Sequence, residues 1–433
     1  MSKYAQRDRQ IIWHPYTQML NAKESIPITH GRASLLFDED GKSYIDAVSS
    51  WWTNLHGHSH PYMIKQLGDQ LETLDHVIFA GFTHPWAIEL AEKISKLLPG
   101  KQSKAFYSDN GSTAVEVAVK LSLQYWKNKG KVKNRILAFQ NAYHGDTFGS
   151  MSVSGRGAFN KAFQDHLFEV DFLPIPARGK EEESLNQLRL LLQKYNGEYA
   201  SFIYEPLIQG AAGMRCFEAG ALDCLVDLCR SENIICIADE VMTGFGRTGP
   251  LFASNESKIH PDIYCLSKGI TGGLMPLGLT TCTEDIYEAF LGMEFSKTFY
   301  HGHSYTANPL ACRAGLASLD LLLDPDCGER RMEINKKHQE FIQSSAIAND
   351  TDNIRVKGTI LAFEVRSQED SGYFNKSRDS IFSFFTQRGI LIRPLGNTIY
   401  LMPPYCITGE ELDHIYDNLV LYCEQKNSAI KQR

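Results

Sequence analysis

From about residue 85 the chain alternates between two periodicities, and that alternation restricts the fold more than any other feature. "PWAIELAEKISKLLPG" and "TAVEVAVKLSLQYWKNKG" repeat apolar residues at helical spacing. The first has a proline near its start and a Pro-Gly stop, as a helix should. Short stretches read as strands: "KAFYSDNGS", "RILAFQNAYHGD", "SFIYEP", "IICIADE", "DIYCLSK" and "GLTTCT". Strands that are mostly apolar along their length are covered on both sides. Separated by helix-length segments, they predict an α/β fold: a mostly parallel central sheet with helices on both faces. After about residue 320 the pattern changes to a helix, the strand "RVKGTILAFEV", another helix and "GILIRPLGNTIYLMPP". The expected organisation is an arm and part of a small domain over 1–60, a large α/β domain over 61–320, and a small α+β domain over 321–433.

Other classes are set aside by composition. At 433 residues the chain is long enough for a sizeable core. A net charge of -7 argues against a nucleic-acid surface, which needs a basic stripe. No run approaches the roughly 20 apolar residues of a membrane span. "MSKYAQRDRQIIWHP" has no apolar core of a signal peptide. The ten cysteines form no CxxC pair, and Cys236, Cys265 and Cys282 sit in apolar runs. Reduced, buried thiols and a cytoplasmic protein are expected.

In such sheets ligands bind beyond the carboxyl ends of the strands. The polar residues expected there are Asp109, Tyr143, Glu205, Asp239 and Lys268. Lys268 follows the apolar run Ile263 to Leu266 and precedes Gly269, Gly272 and Gly273. A solvated loop lysine is the ordinary fate of such a residue, and Asp239 with Glu240 would suit a helix cap or surface ion pair. Taken together, the two strand tips offer an amine and a carboxylate across one crevice. Pyridoxal phosphate needs that pair, a lysine for its aldehyde and an acid for its ring nitrogen. In "SDNGSTAVEVAVK", Thr113 and Glu116 fit a capping box, and the helix start would suit phosphate. Tyr143, in "NAYHGD", would either stack on a flat ring or fill the core.

Two motifs invite other readings. "GFGRTG", Gly244 to Gly249, matches a dinucleotide fingerprint but is followed by Pro250 instead of a helix start. "HGHSH", His56 to His60, suggests a metal, yet it lacks an HExxH partner, so no metal is expected. Trp13, Tyr16, Trp51 and Trp52 would either pack an N-terminal arm or wall a pocket for an elongated or cationic substrate. Arg393 breaks an apolar strand and wants a carboxylate.

"IADEVMTGFGRTG", "CLSKGITGGLMPLG", "AYHGDTFGSMSVSG" and "GHSYTANPLACRAGLASL" resemble the class III pyridoxal-phosphate aminotransferases of fold type I over nearly the whole chain. The resemblance implies Lys268 as the Schiff-base lysine and Asp239 as the pyridinium partner. It implies Gly111 and Ser112 as the phosphate pair and Tyr143 as the stacking ring. Gly302, His303 and Ser304 would fall in a loop reaching the neighbouring subunit's cofactor, which makes the active unit a homodimer. Ser304 stands where the class usually has threonine. "WHPYTQM", "SSWWTNLHGHSHP" and "IRPLGNTIYLMPPY" resemble the biotin-pathway members of the class, and Met242 fits that subset. They imply S-adenosylmethionine as donor, 8-amino-7-oxononanoate as acceptor, and Tyr16, Trp51, Trp52 and Arg393 as substrate contacts. The alternatives are a class III transaminase using an ω-amine or lysine as donor, a binding protein without turnover, or a metal hydrolase on His56, His58 and His60.

Overall fold

The computed structural model describes residues 2–157, 159–344, 347, 351–366, 375 and 377–431. Three N-terminal strands, β1 (Ile28–Arg32), β2 (Leu35–Asp38) and β3 (Ser43–Asp46), pair antiparallel. The large sheet is built from β4 (Lys104–Ser108), β5 (Arg135–Phe139), β6 (Asp171–Leu173) and β7 (Tyr199–Tyr204). A short hairpin, β8 (Ile208–Gln209) and β9 (Arg215–Cys216), separates these from β10 (Ile235–Asp239), β11 (Ile263–Leu266) and β12 (Gly278–Cys282). The strand order is β4-β12-β11-β10-β7-β5-β6. β12 runs against both its neighbours, and the other six strands share one direction.

β10 shows why the sheet is buried on both faces. Ile235 and Ile237 join Val115 and Val119 of the helix Gly111–Asn128 in one apolar cluster. Cys236 and Ala238 join Leu222 and Leu225 of the helix Ala219–Ser231 in another. β11 divides likewise, with Ile263 and Cys265 on one side, Tyr264 and Leu266 on the other. Side chains alternate between faces in a strand, so a strand between two cores must be apolar at every position. The predicted α/β class and mostly parallel sheet are found.

The C-terminal region differs from expectation in detail. "RVKGTILAFEV" is a hairpin of β13 (Thr351–Lys357) and β14 (Ile360–Val365), turned at Gly358 with φ of 58°. "GILIRPLGNTIYLMPP" also divides, into β15 (Ile390–Leu391) and β16 (Thr398–Leu401). β15 pairs in parallel with β3, whereas β16 pairs with β14. Arg393 therefore sits past the end of β15 and interrupts no strand. Trp13 is 88% exposed and packs no core.

His338, fully buried, accepts from the Tyr416 hydroxyl at Nδ1 (2.7 Å) and donates from Nε2 to the Thr359 carbonyl (3.2 Å). Burial pulls its pKa down to about 4. The folded chain thus resists a proton that the unfolded chain takes near 6.5. Its contribution is complete above that pH and fades as pH falls toward 4, by about 2 kcal/mol at pH 5. Urea unfolding of His338→Gln should therefore lose about 2 kcal/mol less than the parent between pH 7 and pH 5. Equal losses in both proteins would contradict the assignment.

Candidate active site

All five polar residues expected at strand ends line one cavity of about 670 Å³: Asp109, Tyr143, Glu205, Asp239 and Lys268. Asp239 closes β10 and pairs in register with Cys265 of β11. Lys268 comes two residues beyond that strand, so amine and carboxylate leave the sheet along the same edge.

Asp239 is held, not solvated. Its Oδ2 accepts from His144 Nδ1 at 2.7 Å, and Oδ1 accepts from the Val241 N–H at 3.0 Å. His144 is buried, and among the described residues its Nε2 has no hydrogen-bond partner. The neighbouring Glu240 turns away. It accepts from the N–H groups of Ala253 (3.1 Å) and Ser254 (2.7 Å) and from the Thr243 hydroxyl (2.6 Å), bracing the loop behind. Only one of the two adjacent acids therefore faces the cavity. Glu205 accepts from the N–H groups of Tyr143 (3.2 Å) and Gly210 (3.0 Å). Burial raises its carboxyl to about 7, against the pull of His144.

Lys268 has a φ of 45° and holds its Nζ 4.8 Å from the centre of a Trp52 ring. Burial pushes its amine below the usual lysine range, with Asp239 and Glu205 opposing. A larger neutral fraction follows, which proton transfer requires.

The anion corner is the N-terminus of the helix Gly111–Asn128. Its cap is Asn110, whose side chain accepts from the Thr113 N–H at 3.0 Å while the Thr113 hydroxyl accepts from the Asn110 N–H at 3.1 Å. The capping box thus lies three residues before the predicted Thr113–Glu116 pair. Glu116 instead accepts from the N–H groups of Gly149 (2.7 Å) and Ser150 (3.1 Å). The first amides of a helix lack intrahelical acceptors and suit an anion. Ser112 Oγ accepts from the Thr147 N–H at 3.0 Å. Gly145, at φ of 132°, leaves room for it: a Cβ there would lie 2.3 Å from Ser112 Oγ.

An aromatic wall flanks the cavity. The hydroxyls of Tyr143 and Tyr16 are 2.9 Å apart, and the Tyr16 hydroxyl also donates to Asp146. Burial pushes the Tyr143 phenol well above its ordinary pKa, so it stays neutral. The rings of Tyr16 and Trp51 meet edge-on at 5.4 Å, and the Arg393 guanidinium lies 4.0 Å from the centre of a Trp51 ring. Among the described residues, Nη2 of Arg393 is buried without a hydrogen-bond partner. Tyr16 and Arg393 line a second cavity of about 600 Å³. Trp52 donates from Nε1 to the Tyr400 hydroxyl at 2.9 Å. Both tryptophans belong to one left-handed turn, Ser49 to Trp52, with φ of 50°, 49°, 94° and 73°. Each such residue costs about 1–2 kcal/mol.

Other expected residues lie elsewhere. Gly302, His303 and Ser304 form a partly exposed loop before the helix Pro309–Leu322 and line neither cavity. "GFGRTG" is a structural loop whose buried Arg247 donates to the carbonyls of Pro403 (2.8 Å) and Asn54 (3.2 Å). His56 meets Ser318 and His58 meets Asp46. His144 and Asp146 fall outside the strand-end set expected from the sequence, and Glu205 falls inside it with no role assigned. The signals were present: "NAYHGD" sets two of them beside Tyr143, and "SFIYEP" ends its apolar run on the third. Amine, carboxylate, anion corner and aromatic ring in one cavity, with the space beside Ser112 kept by Gly145, fit pyridoxal phosphate.

The family model for Aminotransferase class-III matches residues 18–422. The adenosylmethionine-8-amino-7-oxononanoate aminotransferase of Synechococcus elongatus is 45% identical, with 94% of this chain and 96% of that protein covered. The protein of that name from Geobacter sulfurreducens is 41% identical, with 95% of each chain covered. The crystal structure of the Methanocaldococcus jannaschii protein, again of that name, superposes with a TM-score of 0.91 at 35% identity, covering 98% of both chains. An amine transaminase from an uncultivated Pseudomonas species, solved in a PLP-bound form, gives 0.89 at 29% identity, covering 95% of this chain and 99% of that one. By the extent of these matches and by the site it carries, the chain belongs to the class III aminotransferases.

Proposed function

We propose that the chain transfers the amino group of S-adenosylmethionine to 8-amino-7-oxononanoate, giving 7,8-diaminononanoate, with pyridoxal phosphate as cofactor. The observation that carries this reading is the convergence of Lys268, Asp239 and the open helix start at Gly111 in one cavity. The names of the relatives support the choice of substrates.

When bound, pyridoxal phosphate supplies an aldehyde for amino groups and a ring that accepts electron density from the carbon losing its proton. Lys268 would hold that aldehyde and, once displaced, move a proton at the amine-bearing carbon through Nζ, first as base and then as acid. Asp239, oriented by His144, would keep the ring nitrogen protonated. The amides of Gly111 and Ser112, with the Ser112 hydroxyl, would bind the phosphate. Tyr143 would lie against the ring. Arg393 would pair with a substrate carboxylate. Trp51 and Trp52 would cover the acceptor's hydrocarbon, about five methylenes favouring binding by roughly 4 kcal/mol. Their faces, with Tyr16, would also attract the donor's sulfonium. Gly302, His303 and Ser304 would serve the neighbouring subunit, making a cytoplasmic homodimer with shared sites.

The decisive measurement is spectroscopic. Purified protein should be yellow, bleach with S-adenosylmethionine and recover its colour with 8-amino-7-oxononanoate. Bleaching by ω-amines alone would favour a different transaminase of the class. Arg393→Ala should raise KM about tenfold or more while leaving the colour intact; colourless protein would contradict the role given to this arginine. Gly145→Ala, forcing a methyl against Ser112, should weaken pyridoxal phosphate affinity about tenfold in an absorbance titration of the apoprotein. Unchanged affinity would count against the anion corner.

A further inference from the structure

The left-handed turn that carries Trp51 and Trp52 contains no glycine, so something outside it must impose its shape. That something is Asp46, the last residue of β3, whose side chain is fully buried. Its Oδ1 accepts from the N–H groups of Ser50 at 2.9 Å and Val48 at 3.3 Å. Its Oδ2 accepts from the Ser50 hydroxyl at 2.7 Å and from His58 Nε2 at 2.9 Å. His58 is fixed in turn. Its Nδ1 lies 3.1 Å from the Asn54 side-chain amide, and its backbone exchanges hydrogen bonds with Ala33 at 2.7 and 3.1 Å.

The same aspartate registers the turn against the cationic side of the wall. Asp46 pairs with Leu391 of β15, two residues before Arg393, and Arg393 lies over Trp51. Neither Asp46 nor His58 lines either cavity; of the two rings they serve, Trp52 lines the first, and Trp51 meets Tyr16 and Arg393, which line the second.

We propose that Asp46 and His58 are positioning residues: a buried clasp that holds Trp51 and Trp52 in the orientation with which the site grips its acceptor. This rests on the function proposed above. Without the clasp, the turn relaxes toward right-handed backbone and both rings leave their places. Cofactor capture, served by residues on the large sheet, is untouched.

The test uses holoenzyme labelled with 5-fluorotryptophan, read by fluorine NMR alongside steady-state kinetics. The chain has five tryptophans, and Trp51→Phe and Trp52→Phe assign the two signals that matter. His58→Ala should move both signals and leave those of Trp13, Trp86 and Trp126 in place. It should raise KM for 8-amino-7-oxononanoate about tenfold with kcat within about twofold. His58→Gln, whose amide still donates to Asp46, should restore much of both. An unchanged KM, unmoved signals or no rescue by glutamine would each overturn the proposal. Should His58→Ala not fold, Ser50→Ala removes a single bond and must give the same pattern at smaller size; an unaltered KM there is equally fatal. If the protein does not use this acceptor at all, the proposed function falls, and the fluorine signals still decide whether the clasp holds the rings.

Discussion

The parallel pairing of β10 with β11 is what the rest of the site depends on. Setting Asp239 beside Cys265 makes both strands expire along one edge, and the chain must leave the apolar layers there. A carboxylate and an amine buried separately would each cost several kcal/mol. At a shared edge the acid takes its bonds from His144 and the Val241 amide, and the amine feels the two nearby acids. Five strand tips then deliver five polar groups to one hollow without any of them crossing the core.

Part of the chain's backbone strain lies at and beside this hollow. Lys268 and the four residues from Ser49 to Trp52 all occupy left-handed conformations that side chains disfavour. Such conformations persist where surrounding contacts over-determine them. For the tryptophans those contacts are the Asp46 carboxylate, the Tyr400 hydroxyl and the Met402 carbonyl that accepts from Ser49. For the lysine they are the fixed strand before it and the Ser267 hydroxyl, which donates to the Leu277 carbonyl at 2.7 Å.

The α/β class and the strand-end residues were legible because a strand between two cores announces itself as an apolar run with a polar stop. What lay beyond reach depended on partners far away in the chain. His144 stands 95 positions from Asp239, and no local pattern links them. The turn at Ser49 to Trp52 carries none of the glycines that usually mark positive φ. β15 has only two residues, too few to show a period, so in the sequence pattern it runs on into β16. The helix cap was misplaced by three residues because Thr113 and Glu116 satisfy the usual Ser/Thr-to-Glu/Gln spacing, whereas the actual box sets a threonine hydroxyl where that rule expects an acid or amide.

The reversal of β12 has an evolutionary corollary. Because β12 returns antiparallel, the eleven-residue link from β11, residues 267–277, carries the lysine and then doubles back as cavity wall through Leu274, Met275 and Leu277. Reactive group and near wall are thereby one piece of polypeptide, and neither drifts without the other. Trp52 and Thr53 of that cavity, by contrast, come from the segment after β3, and Tyr16 and Arg393 of the neighbouring cavity come from the amino-terminal arm and the segment after β15. Selectivity in this architecture can diverge by changes in those outlying pieces while the reaction centre stays as it is.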